Sequence, residues 1–166
     1  SDQLAQQAIT MPTAEAIAGQ VESGRISETD PAALRPIAGE QMTTGPQARA
    51  FADNYIYAHM LAGAKAAGVP DDKANYSGIG SLVTSKTAEL REQLKAEPGN
   101  ANKTDQEIAA LAAAEIANPQ TDNALAKEIA SLTKLRMETF LDGNTLRGML
   151  LNAYGWWLVG TIAQFA

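Results

Sequence analysis

LLNAYGWWLVGTIAQFA, residues 150–166, is the stretch on which the fold turns. No charged residue follows Arg147, so Gly148 to Ala166 is an uncharged, largely apolar run. At about 1.5 Å per residue, a helix of that length approaches the roughly 30 Å of a bilayer core. Its polar residues, Asn152, Thr161 and Gln164, form no stripe when projected at about 100° per residue. A helix that is apolar all round is either the central helix of a bundle or a membrane span. Trp156 and Trp157 suit both readings, as half-wet interface anchors or as the large side chains of a core. Gly148, Gly155 and Gly160 suit close helix packing in either case. Arg147 snorkels toward headgroups in the membrane reading. In the other reading it pairs with Asp142 or a neighbouring acid.

The rest of the composition favours helix. The 166 residues are 45% hydrophobic and only 5% aromatic. Alanine supplies much of the apolar content, and it is the best helix former. A chain this long can bury a real core, here made of tight helix–helix contacts and a few large anchors. The net charge of −6 and the lack of a Lys/Arg cluster argue against nucleic acid. There is no cysteine, hence no disulfide and no thiolate chemistry. Residue 1 is Ser, which points to a processed form or an excised segment.

Ahead of the terminal run, helix signals recur. Ser1 to Ala8 reads as a short helix, and Thr13 to Gln20 as a turn or two. Asp30-Pro31 pairs a cap with proline at the first helical position, starting a short helix to Arg35. Glu40 to Thr43 is a candidate to pair with Ile9 to Met11 as a two-stranded ribbon. Pro46 to Ala67 is the first long helix, with Ala48, Phe51, Ala52, Tyr55, His59 and Ala62 on its buried face. Gly68 stops it, and Pro70 comes just beyond. Asp71 to Ser81 reads as a loop with one helical turn. Leu82 to Ala96 is a helix with Val83, Leu90 and Leu94 inward, broken at Pro98-Gly99-Asn100. Thr104 to Glu107 is a capping box opening a helix to about Ala117, with Ile108, Leu111, Ala112 and Ile116 on one face. Thr121 or Asp122 caps the next helix, which turns Leu125, Ile129, Leu132 and Phe140 inward, with Gly143 a candidate break.

Chemistry-bearing groups are few. His59 is the sole histidine. Its functional reading is a proton switch or general base; the structural one, which the apolar face favours, is a core histidine bonded to a carbonyl or carboxylate. Asn75 to Ser81 has the small residues of an anion cradle but lacks a P-loop lysine, and reads as a connector. Glu28 with Asp30, Asp71 with Asp72, and Glu138 with Asp142 read as solvated acidic pairs. Asp71-Asp72-Lys73 does not open an EF-hand, because the twelfth-position Glu is missing.

Three segments together resemble a known group: SDQLAQQAIT, IAGEQMTTGPQARAFADNYIYAHM and TLRGMLLNAYGWWLVGTIA. The residues that carry the likeness are Gln3, Leu4, Ile9 and Thr10; Gly39, Gly45, Pro46 and Ala50; Ile56 and His59; and Leu146, Arg147 and Leu150. They resemble small actinobacterial membrane proteins whose two membrane helices flank an extracytoplasmic stretch. Asp71 to Gly143 matches little of that pattern. The resemblance implies a membrane-anchored, extracytoplasmic domain with Ser1 and Ala166 on one membrane-facing end. Some members of such groups carry the label of an aromatic ring-opening dioxygenase. A non-haem iron site of that kind takes two His and a carboxylate, and a chain with one His does not supply it alone.

The expectation is therefore an all-α, single-domain helical bundle of about four to five main helices. Residues 1–45 form an irregular N-terminal segment, 46–143 the helical core, and 144–166 an apolar C-terminal helix or the start of a span. The expected role is a structural or protein-interaction module without catalysis, cofactor or metal. Its expected partners are the membrane, through segments flanking residues 1 and 166, and a second copy or a membrane protein. The alternative is a small apolar-ligand binder with a pocket between helices lined by Phe51, Tyr55, His59, Trp156 and Trp157. A hydrolase would need His59 beside a hydroxyl or carboxylate in a cleft.

Overall fold

The structure is a computed structural model that describes residues 2–6 and 8–165. It is all-α. In order the helices are α1 (Asp2–Gln6), α2 (Ala14–Glu22), α3 (Pro31–Leu34), α4 (Gly45–Phe51), α5 (Tyr57–Ala66), α6 (Tyr76–Lys95), α7 (Asp105–Ala117), α8 (Ala124–Lys134) and α9 (Asp142–Phe165). A π-helical turn, Ala52–Ile56, joins α4 to α5, and a second, Leu135–Leu141, joins α8 to α9. The described residues therefore make seven continuous helices, more than the four to five expected. No strand forms among them. Thr10 and Gln41 make one isolated antiparallel bridge, with Met11 N–H donating to Glu40 and Met42 N–H to Ile9 at 2.8 Å each. The expected ribbon is absent because each segment passes directly into a turn or cap.

The chain divides into two compact units, one up to Gly63 and from Leu141 on, the other Ala64–Phe140. In the first, the core gathers Leu4, Met11, Ile17, Ile26, Leu34, Met42, Ala48, Ala52 and Leu150. Most of these come from the segment expected to be irregular. Thr13 caps α2 by accepting from Ala16 N–H at 3.2 Å. Asp30 does not cap α3. Its carboxylate accepts instead from the Ser27 N–H and hydroxyl and from the Asn54 amide. Thr44 and Gln47 form a capping box on α4, which packs chiefly against α9.

In the second unit α6, α7 and α8 pack on one another around Leu90, Leu94, Ile108, Ala112, Ala126 and Ile129. The Thr104–Glu107 capping box is present. Two boundaries differ from expectation. α6 starts at Tyr76, not Leu82, because the Asn75 side chain accepts from Gly78 N–H at 2.8 Å and caps it. α8 is capped by Asn123, which accepts from Ala126 N–H. Thr121 is buried and donates its hydroxyl to Glu115 instead. Gly68 ends α5 as expected, at φ +71°. The Gly68 N–H donates to Lys65 and the Val69 N–H to Ala64, the paired bonds of a Schellman stop.

The π turn at Ala52–Ile56 also redirects the buried face of its helix. One extra residue in the turn rotates the next part of the helix by roughly 100°. Ala48 and Ala52 are fully buried as expected, but beyond the turn the fully buried residues are Met60 and Ala64. Tyr55, His59 and Ala62 are half-buried.

Candidate functional site

The distinctive geometry of the first unit lies where α4 and its π turn meet α9. Gly45 permits the approach: a Cβ there would sit 2.6 Å from the Trp157 Cβ. The glycines singled out in α9 have no such role. A Cβ on Gly148, Gly155 or Gly160 would meet nothing within 4 Å, whereas one on Gly143 would press on the Met60 sulfur.

The Ala52 carbonyl of the π turn is shared between two donors. Ala52 C=O accepts from Tyr57 N–H, five residues on, and also from Arg147 Nε at 3.1 Å. Arg147 donates through Nη2 to Asp53 Oδ1 at 3.0 Å, and its guanidinium lies 4.2 Å over the Tyr57 ring. The partner of Arg147 is thus Asp53, not Asp142. On the other side of the same carboxylate, Arg49 Nε lies 3.7 Å from Oδ2. Arg49 also donates to the Tyr154 hydroxyl at 3.3 Å and stands 5.2 Å from that ring's centroid. Tyr154 in turn stacks on Trp157, 6.1 Å between centroids.

These groups border an open groove of about 470 Å³, lined by Pro46, Arg49, Ala50, Asp53, Asn54, Tyr154 and Trp157. Its apolar and aromatic lining comes from Pro46, Ala50, Tyr154 and Trp157, and its polar lining from Arg49, Asp53 and Asn54. Arg147 bonds Asp53 without lining the groove, and Asn54 donates to Asp30.

The five residues expected to line a pocket separate. Phe51 stacks on Tyr55 at 5.0 Å, and Tyr55 tilts against His59 at 4.4 Å. Phe51 and Tyr55 of this ladder pack on the first unit's core. His59 Nδ1 lies 2.7 Å from the Tyr55 carbonyl oxygen and therefore carries a proton for it. Nε2 lies 2.8 Å from the Gln20 side-chain amide, so His59 ties α5 to α2. Neither nitrogen faces the hydroxyl or carboxylate that a hydrolytic base would need. Only Trp157 of the five borders the groove. Arg49, Asp53, Asn54 and Tyr154 were not anticipated. The i,i+4 spacing of Arg49 with Asp53, and of Tyr154 one turn before Trp157, were the available signals.

Beyond the groove α9 emerges from its packing. Leu150 is buried, but Trp156 is 70% exposed, Ile162 60%, Val159 56% and Leu158 41%. The apolar run is therefore not a buried central helix. No helix among the described residues is long and apolar enough to cross a membrane. Asn152, Thr161, Gln164 and the interspersed glycines dilute its hydropathy. Among the described residues no cluster of His, Asp and Glu is arranged to hold a metal, and Glu138 of the acidic pairs faces Lys134 at 3.8 Å. Comparison with family models, curated proteins and solved structures finds no match.

Proposed function

We propose that the chain is the extracytoplasmic part of a membrane-associated protein and acts as an interaction module without catalysis. The exposed, uncharged end of α9 carries this reading. Trp156, Leu158, Val159 and Ile162 stand in water with no charged residue after Arg147 to solvate them. Seating each such side chain in an apolar environment is worth about 1.5–3 kcal/mol, and contiguous exposed apolar surface marks interaction sites. The occupant is the bilayer boundary. A tryptophan heading an uncharged helix end suits that layer. Arg147 takes no part in this contact, because Asp53, the Ala52 carbonyl and the Tyr57 ring already hold it.

The test is co-sedimentation of the chain with lipid vesicles, read together with tryptophan emission. Association with a blue shift is the expected result. Reporter fusions flanking this segment in the whole gene product should place it on the extracytoplasmic side. A chain that stays in the supernatant with unshifted emission refutes the reading. If it is also dimeric by light scattering, the helix end covers a second copy instead.

A further inference from the structure

We draw no further inference here: the strongest candidate, the open groove where α4 meets α9, pairs its Arg49 with its Asp53 and its Asn54 with Asp30, and nothing in the structure shows what would occupy it.

Discussion

Gly45→Ala is the substitution whose sign tests the packing most directly. In an ordinary helix, replacing glycine by alanine gains about 0.5–1 kcal/mol, because alanine loses less backbone entropy. At Gly45 the new methyl would lie 2.6 Å from the Trp157 Cβ, 2.7 Å from Cγ and 3.0 Å from Cδ2. Carbon atoms in contact prefer about 3.5–4.0 Å, so α4 and α9 would have to part by about 1 Å at their closest point. Overpacking of this kind costs about 1–3 kcal/mol. The net effect should be a loss of about 1 kcal/mol at mid-range, with a melting point lowered by roughly 2–4 °C per kcal/mol for a chain of this size. Gly155→Ala, on the same α9 but with nothing within 4 Å of its Cβ, should gain stability. Urea titration followed by tryptophan emission is the assay, since both tryptophans lie on α9 in the unit that carries the change. A Gly45→Ala protein as stable as the wild type, or more stable, refutes the close approach.

Other perturbations test other links. Arg147→Lys keeps the charge but not the fork that reaches Ala52 and Asp53 together. It should cost about 1–2 kcal/mol in the same titration, and a silent substitution would remove Arg147 from the support of the π turn. Gly78→Ala would place a Cβ 2.6 Å from the Lys73 carbonyl oxygen, a backbone atom that cannot swing away. Circular dichroism should show the second unit destabilised by about 1–3 kcal/mol, and an unchanged curve would mean that α6 does not start there. The Glu107 carboxyl is held below its ordinary value, first by the Thr104 backbone N–H and then by the Thr104 hydroxyl. Its contribution is therefore full above the unfolded-state value and is lost as pH falls through the folded one. The stability difference between wild type and Glu107→Gln should shrink as pH drops through and below the usual Glu range. A difference constant with pH would contradict the cap bond.

What the sequence determined by itself is local. Alanine-rich segments form helix, Thr104 and Glu107 close a capping box, and Gly68 stops α5, because propensity and caps act within about four residues. Even there local rules competed. Thr121 was a plausible cap for α8, but Asn123 takes that place and Thr121 turns to Glu115. The π turns were not legible, since the partners that support an extra residue are distant: the Ala52 carbonyl, already bonded to Tyr57 N–H, also accepts from Arg147, ninety-five positions away. That one residue moved full burial from His59 and Ala62 to Met60 and Ala64. The same holds for α9. Its uncharged run was plain to read, but only the tertiary structure decided that Leu150 enters the core while Trp156 and Ile162 do not. Hydrophobicity states what a side chain gains by leaving water, and only the surrounding helices decide which side chains have somewhere to go.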